Sequence, residues 1–253
     1  METRELQSGF AIEVINYKSK RELKSLRKLL LRFGVIFIRD IEVDFAELES
    51  LARVFGDLQD ISGKPSSTSL PTDNKYIRTV EYDGSPVDFP AGWFWHSEMS
   101  YSEVRPSGGL LYMTKVPESG GDTLFADQRK AYSQLSTGMQ KYIENLTCVH
   151  EVGWWFKNKP KKGTVQNVVE IHPETGERYL NVCDVFTTRI NGLPFDEAKY
   201  LLTFLQNHAT NDLWTHRHKW TKNSLAIWDD RLVQHKAIHN FNGERVGHRI
   251  QLV

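Results

Sequence analysis

Short segments with the apolar or alternating pattern of β-strands recur from one end of this chain of 253 residues to the other. Segments with helical periodicity interrupt them at intervals. The strand-like segments are 10–16, 34–40, 75–82, 107–116, 147–156, 166–182, 223–241 and 245–253, of which 166–182 is predicted to form two strands around a turn. The helix-like segments are 19–33, 45–55, 131–146 and 194–210. This order predicts a mostly β fold with flanking helices, in which two sheets form a barrel or jelly roll.

Composition indicates which partners to expect. The chain has 32 Lys and Arg against 32 Asp and Glu, so its charge favours neither nucleic acid nor a membrane surface as a partner. No apolar run is long enough for a signal peptide or a membrane span. Cys148 and Cys183 are too few for a disulfide framework. We expect a cytoplasmic protein with a single domain over residues 1–253 that acts on a small molecule, and the sequence leaves a homo-oligomer open.

Residues 92–101, with the sequence GWFWHSEMSY, hold the candidate metal ligands. On a β-strand, His96 and Glu98 would lie on the same face, because side chains alternate faces with a period of two. Two histidines and one carboxylate, with coordination positions left open, are typical of non-haem Fe(II) oxygenases. The third ligand has to come from elsewhere in the chain. His235 is the best candidate, since it lies in an apolar strand-like segment near the C-terminal end, and His239 is its nearest rival.

Four motifs carry a resemblance to a known family: GWFWHSEMSY, ESGGDTLFAD, WDDRLVQH and RVGHR. In order and spacing they resemble the TauD/TfdA family of Fe(II)/2-oxoglutarate-dependent dioxygenases, over approximately residues 34–253. The resemblance implies a double-stranded β-helix (jelly-roll) core, with His96, Glu98 and His235 as the ligands of Fe(II). The usual acid of the family is Asp, so Glu98 departs from the pattern by one methylene.

The resemblance also implies a site for the co-substrate, 2-oxoglutarate. Thr123 and Arg245 match the positions that bind its distal carboxylate. A guanidinium suits this task because it pairs with a carboxylate through two hydrogen bonds and keeps its charge. Arg249, expected on the same strand face as Arg245, matches a position that contacts an anionic substrate in some members. Whether Arg249 contacts the substrate or 2-oxoglutarate is left open.

The expected reaction hydroxylates or desaturates a small molecule, consumes O₂, and releases succinate and CO₂ from 2-oxoglutarate. Glu98 and Arg249 favour a substrate that is amino-acid-like or bears a carboxylate. The stretch QDISGK, residues 59–64, lacks the His and Tyr with which taurine dioxygenase contacts its substrate, which predicts that taurine is not the substrate. The loops expected to line the substrate site, and to provide a lid, are 59–74, 82–92 and 154–165.

Two other classes of protein remain open. One is a metal-dependent cupin-like isomerase or hydrolase that uses the same three ligands without 2-oxoglutarate. It would leave Thr123 and Arg245 without a role. The other is a non-catalytic jelly-roll binding protein, in which the histidine and glutamate side chains merely satisfy one another.

Overall fold

The structure is a computed structural model that describes residues 2–17, 22–62, 69–83, 92–152 and 163–253. The strands are β1 (Glu2–Glu5), β2 (Ala11–Ile15), β3 (Val35–Ile38), β4 (Leu70–Pro71), β5 (Arg78–Tyr82), β6 (Gly108–Lys115), β7 (Thr123–Asp127), β8 (Thr147–His150), β9 (Thr164–Asn167), β10 (Val169–Ile171), β11 (Arg178–Leu180), β12 (Thr187–Ile190), β13 (Thr215–His218), β14 (Ser224–Asp229), β15 (Val233–Ala237) and β16 (Arg245–Leu252). The helices are α1 (Leu23–Phe33), α2 (Phe45–Ala52), α3 (Gln128–Ser133), α4 (Thr137–Ile143) and α5 (Phe195–Ala209), with a short 3-10 helix at Asp212–Trp214.

Two sheets face each other around the centre of the fold. The main sheet has eight strands in the order β1-β2-β3-β14-β6-β16-β5-β4, with β2 and β3 parallel and the other pairs antiparallel. The smaller sheet has the antiparallel order β13-β7-β15. Aromatic rings join the two sheets, since the ring centroid of Phe125 on β7 lies 5.5 Å from that of Phe37 and 6.2 Å from that of Trp228. This arrangement confirms the predicted mostly β fold with flanking helices and a jelly-roll core.

The centre of the main sheet is buried on both faces, which explains the continuous apolar sequence VIFI of β3. Ile36 and Ile38 belong to an outer cluster that packs against α1 and α2. Val35 and Phe37 alternate with them and belong to the inner cluster between the two sheets. A third cluster packs α3, α4 and α5 against the strands outside the two sheets, β8, β10, β11 and β12. Its members include Ile143, Leu180, Ile190, Leu202 and Leu205. The inner cluster therefore fills the space between the two sheets, where the candidate site also lies.

The C-terminal segment 223–241 differs from its prediction as one strand. It forms β14 in the main sheet and β15 in the smaller sheet, separated by a turn. The Asp229 carboxylate accepts a hydrogen bond from Arg231 N at 3.0 Å, and Leu232 N donates to Asp229 O at 3.1 Å. This turn chemistry overrides the apolar pattern. As a result, His235 lies on the smaller sheet and faces the interior from the side opposite β14.

Two other segments also differ from their predictions. Residues 117–127, which belong to none of the predicted strands, contain β7, the central strand of the smaller sheet. Residues 131–146, predicted as one helix, contain the second half of α3 and all of α4. Ser136 separates the two helices by capping the second, with its hydroxyl accepting from Met139 N at 3.2 Å. The sequence THRH of β13 has no apolar residue, so its pattern predicts no strand.

Some predictions fall outside the described residues. Of the loops expected to line the substrate site, residues 63–68, 84–91 and 153–162 lie outside them. The same holds for residues 18–21, at the beginning of the first predicted helix. Among the helices that the structure describes, none combines the length and the apolar character that crossing a membrane requires.

Candidate metal centre

The segment that carries the first two candidate ligands runs beside the edge of the smaller sheet. His96 and His235 form an isolated antiparallel bridge, in which His96 N donates to His235 O at 3.1 Å and His235 N donates to His96 O at 3.0 Å. Next to the bridge, Ala237 N donates to Gly92 O at 2.7 Å. Backbone pairing with β15 therefore sets the two imidazoles side by side, with 4.2 Å between their ring centroids.

A turn, and not strand alternation, brings the carboxylate to this pair. The strand expected over residues 92–101 does not form, because only His96 is bridged and the chain turns directly after it. Met99 takes the left-handed conformation in this turn, with φ of 44°. Glu98 Oε1 lies 3.2 Å from His235 Nε2 and 3.9 Å from His96 Nε2. The two side chains face the same space, as expected, but through a different local structure.

A hydrogen bond fixes the tautomer of His96. Its Nδ1 lies 2.8 Å from the carbonyl oxygen of Phe94, so Nδ1–H donates and Nε2 keeps its lone pair. Burial, together with the neighbouring His235, lowers the pKa of His96 to about 4, against the opposing effect of Glu98. A neutral imidazole with a free Nε2 lone pair is the form that binds a metal ion.

Glu98 is buried, and its two oxygens have different partners. Oε1 faces the imidazoles, whereas Oε2 lies 2.6 Å from Nη2 of Arg249 on β16. Burial by itself raises the pKa of Glu98. Arg249 and the two histidines outweigh burial and hold the pKa of Glu98 well below its ordinary value. Glu98 is therefore an ionised acid with one oxygen directed at the imidazoles.

A second carboxylate, that of Asp230, lies behind Glu98. It is buried, accepts a hydrogen bond from Trp228 Nε1 at 3.3 Å, and interacts with the backbone N–H of Glu98. Burial, reinforced by the charge of Glu98, raises the pKa of Asp230 well above its ordinary value. Sequence reasoning missed this residue. In the motif WDDR, nothing distinguishes an acid that forms a turn from an acid that supports a ligand segment.

Arg245 is a buried cation on β16, with 5% of its surface exposed. In the part of the chain that the structure describes, no carboxylate forms an ion pair with it. Its aliphatic stem fits against Gly121, where a Cβ would lie 3.5 Å from Arg245 Cδ. Two residues further on, Thr123 begins β7, and its Oγ1 accepts a hydrogen bond from Trp220 Nε1 at 3.0 Å. The Thr123 hydroxyl proton is then available to another acceptor.

The structure thus places each candidate of the sequence analysis. Those that converge on one point are His96, Glu98, His235 and Arg249. Thr123 and Arg245 come from the two facing sheets, and the segment 121–123 adjoins Arg245. The rival ligand His239 lies elsewhere, with its ring centroid 5.2 Å from that of Tyr82.

The three candidate ligand atoms fit a metal ion. His96, Glu98 and His235 each offer one atom, and these atoms all lie within 4.8 Å of one another. Across the described residues, no other group of three or more His, Cys, Asp or Glu side chains meets in this way. Two imidazole nitrogens and one carboxylate oxygen are the donor set of non-haem Fe(II) sites that keep positions open for other ligands.

Comparison with known proteins agrees with this geometry. The sequence profile described as "Taurine catabolism dioxygenase TauD, TfdA family" matches residues 2–251. The chain belongs to this family. Membership confirms the family predicted from the four motifs, whose members are Fe(II)- and 2-oxoglutarate-dependent dioxygenases.

Three relatives show the range of the family. A Schizosaccharomyces pombe protein described as a candidate alpha-ketoglutarate-dependent sulfonate dioxygenase is 33% identical over 250 residues, covering 92% of this chain and 62% of that protein. The alpha-ketoglutarate-dependent sulfate ester dioxygenase of Pseudomonas putida is 26% identical, covering 91% of this chain and 80% of that protein. The alpha-ketoglutarate-dependent 2,4-dichlorophenoxyacetate dioxygenase of Cupriavidus pinatubonensis is 27% identical, covering 85% and 83%. The chain therefore spans less than two thirds of the S. pombe relative.

A solved structure shows the same fold. The crystal structure of a taurine dioxygenase from Burkholderia xenovorans superposes with a TM-score of 0.84 at 26% identity. The match covers 100% of this chain and 90% of that one. The jelly-roll architecture predicted from the sequence is thus confirmed by a second, independent comparison.

Proposed function

We propose that this chain is an Fe(II)- and 2-oxoglutarate-dependent dioxygenase that oxidises a small organic acid, with release of succinate and CO₂. The observation that carries the proposal is the presence of two features in one interior. The donor atoms of His96, Glu98 and His235 lie within 4.8 Å of one another, and Arg245 provides a buried cation. An isomerase or hydrolase that used the same ligands without 2-oxoglutarate would have no use for Arg245.

In this proposal, His96, Glu98 and His235 hold Fe(II). The bound metal would supply the reduction of O₂, coupled to the oxidative decarboxylation of 2-oxoglutarate. The backbone bridge between the two histidines and the hydrogen bond from His96 to Phe94 keep the imidazoles in fixed orientations before any ligand binds. Such preorganisation removes part of the entropic cost of ordering a site.

Arg245 and Thr123 hold the distal carboxylate of 2-oxoglutarate in this proposal. Burial lowers the pKa of Arg245, yet a guanidinium remains charged at neutral pH. A buried charge without an acidic partner is costly unless a ligand supplies the opposite charge. The hydroxyl of Thr123, which already accepts from Trp220, would donate its proton to the same carboxylate.

The proposed acidic group of the substrate rests on charge and on the relatives. Arg78 on β5 is the cross-strand partner of Arg249 on β16, so two guanidinium groups face the same part of the interior. A concentration of positive charge favours an anionic substrate. The relatives are named for sulfonates, sulfate esters and 2,4-dichlorophenoxyacetate, which are all acids. Trp93 and Phe94, which are exposed beside the candidate ligands, would contact the apolar part of such a molecule.

A succinate-release assay tests the proposal. Fe(II)-loaded protein is supplied with 2-oxoglutarate and O₂, together with an alkyl sulfonate, an alkyl sulfate ester, an aryloxyacetate, an amino acid or taurine. Each acid has a neutral counterpart, such as the alcohol of the sulfate ester or the amide of the aryloxyacetate. We expect at least one acid to accelerate succinate release, its neutral counterpart and taurine not to, and His235→Ala to abolish the release.

The outcomes separate the parts of the proposal. Equal acceleration by an acid and by its neutral counterpart would contradict the acidic substrate. A preference for the amino acid or the aryloxyacetate over the sulfonate and the sulfate ester would favour the narrower, carboxylate-bearing class expected from Glu98 and Arg249. If the folded, Fe(II)-loaded protein consumed no 2-oxoglutarate under any of these conditions, the proposed function would be wrong.

A further inference from the structure

Two partners divide the carboxylate of Glu98 between them. Oε1 lies 3.2 Å from His235 Nε2, and Oε2 lies 2.6 Å from Arg249 Nη2. Glu98 is only 6% exposed, so water competes little for either oxygen. A short contact between a guanidinium N–H and a carboxylate oxygen is among the stronger hydrogen bonds in proteins. One oxygen of Glu98 is therefore committed to Arg249, and the other remains for the imidazole side.

The backbone of the main sheet holds Arg249 in place. Its strand, β16, lies between β6 and β5, and the residues opposite Arg249 are Leu111 on one side and Arg78 on the other. The Nε atom of Arg249 is buried and has no hydrogen-bond partner among the described residues. Leaving a buried donor unsatisfied costs free energy. The side chain keeps this position although one donor is unsatisfied, and its ion pair with Glu98 compensates for that cost.

A glutamate at position 98 needs such support more than an aspartate would. Its carboxylate is one carbon–carbon bond, about 1.5 Å, further from the backbone. The side chain also has one more rotatable bond, so fixing it costs more conformational entropy. The family's usual acid is the shorter one. A fixed guanidinium at the second oxygen would restrict the longer acid to one orientation.

We propose that Arg249 is a positioning residue that fixes Glu98 so that only its Oε1 is presented to the metal. The inference rests on the proposed function, in which Glu98 is a metal ligand. A carboxylate with its second oxygen committed elsewhere binds through one atom and leaves the other positions to 2-oxoglutarate and O₂. Arg249 then acts on the ligand, whereas the resemblance placed it against the substrate or 2-oxoglutarate.

Binding of Mn(II) in the absence of 2-oxoglutarate and substrate tests this inference. Free Mn(II) is followed by electron paramagnetic resonance during a titration of wild type, Arg249→Gln and Arg78→Gln. If Arg249 acted only through its charge, its removal would tighten the binding of a cation. The positioning role predicts the opposite sign, with Mn(II) bound at least about 10-fold more weakly by Arg249→Gln. The matched variant Arg78→Gln also loses one guanidinium, but it should bind Mn(II) as tightly as wild type or more tightly.

A second pair of variants keeps the test decisive if Arg249→Gln folds poorly. Glu98→Asp leaves Arg249 intact, but its shorter side chain cannot reach both the metal and the guanidinium. We expect Glu98→Asp to weaken Mn(II) binding, and Arg249→Gln to have little further effect in the Glu98→Asp background. Such non-additivity is the signature of two residues that act through one contact. Fully additive effects would overturn the inference.

The failures of the two proposals are distinguishable. Wild-type protein that bound no Mn(II) would contradict the metal site and with it the proposed function. Wild-type binding that Arg249→Gln left unchanged or tightened would overturn the positioning role alone. A weaker affinity for 2-oxoglutarate with unchanged Mn(II) affinity would also overturn it, and would return Arg249 to the role of a co-substrate contact.

Discussion

His96 and His235 are joined by two backbone hydrogen bonds, of 3.1 and 3.0 Å, although 139 positions separate them in the chain. The pairing depends on no side-chain atom. It sets the two imidazoles 4.2 Å apart, and the turn after His96 then brings Glu98 to within 3.2 Å of His235 Nε2. The candidate metal centre is therefore built by docking a short segment onto the edge of β15.

Gly92 marks the beginning of this docked segment, and replacing it should disturb the centre. It has a φ of +73°, which β-branched residues rarely adopt, and its backbone oxygen accepts from Ala237 N. A Cβ there would already lie 3.5 Å from His96 Cε1, so the γ-carbons of a valine would press on the imidazole. We expect Gly92→Val to cost about 1–2 kcal/mol and to weaken Mn(II) binding roughly 10-fold, as measured by titration.

Gly138 supplies the matched control for this substitution. It lies on the exposed side of α4, where an added Cβ would meet nothing within 4 Å. Gly138→Ala should raise the free energy of unfolding by about 0.5–1 kcal/mol and leave Mn(II) binding unchanged. Docking of the 92–96 segment would not be needed for the metal site if Gly92→Val bound Mn(II) like wild type.

Arg245 should control the affinity for 2-oxoglutarate and not the affinity for the metal. Arg245→Gln removes the buried cation proposed to pair with the distal carboxylate. Loss of one partner of such a pair costs about 2–5 kcal/mol, so the Kd of 2-oxoglutarate should rise at least about 30-fold. Calorimetry on the Mn(II)-loaded protein measures this change, and a parallel Mn(II) titration should differ from wild type by less than about threefold.

Arg217 provides an arginine that should not matter for either ligand. It lies on β13, half exposed, with its Nε 2.6 Å from Asp122 Oδ2. Asp122 is buried, but the guanidinium of Arg217 is open to solvent, which screens the pair. Arg217→Gln should therefore keep wild-type affinities for Mn(II) and 2-oxoglutarate. Equal losses of metal and 2-oxoglutarate affinity in Arg245→Gln would contradict the role proposed for Arg245.

The two cysteines should be unreactive in the folded protein. Cys148 and Cys183 are free and buried, and burial raises the pKa of Cys148 to about 12. Because the thiolate is the reactive form, a pKa that high leaves about 10⁻⁴ of the thiol ionised at pH 8, against roughly a quarter for an ordinary thiol. Ellman's reagent should modify neither cysteine in the native state and both in denaturant. Prompt modification of one thiol in the native protein would contradict this expectation and show that the structure around that cysteine opens readily.

Local patterns predicted the architecture better than the connections within it. The apolar sequence of β3 and the helical periodicity of α1 and α5 follow from local chemistry, and the structure has these elements. The break between β14 and β15 does not, since it depends on the Asp229 carboxylate accepting from the Arg231 backbone within an otherwise apolar run. β13 has no apolar signal because its position in the smaller sheet comes from pairing with β7.

The motifs predicted which residues form the candidate site, but not the local structure that brings them together. They identified His96, Glu98 and His235, and the structure brings these three together. The turn at Met99 and the support from Asp230 were not predictable, because both depend on contacts between segments that are distant in sequence. The same reason explains why sequence spacing could not place the guanidinium of Arg249 on Glu98.

Anaerobic titration of the Fe(II)-loaded protein with 2-oxoglutarate tests the central claim most directly. The account predicts a weak visible charge-transfer band that saturates with 2-oxoglutarate in wild type. His235→Ala should lack the band although it folds, because its backbone bridge to His96 needs no side chain. Arg245→Gln should reach the same band only at much higher 2-oxoglutarate. A folded wild-type protein that binds Fe(II) and develops no band at saturating 2-oxoglutarate would contradict the account.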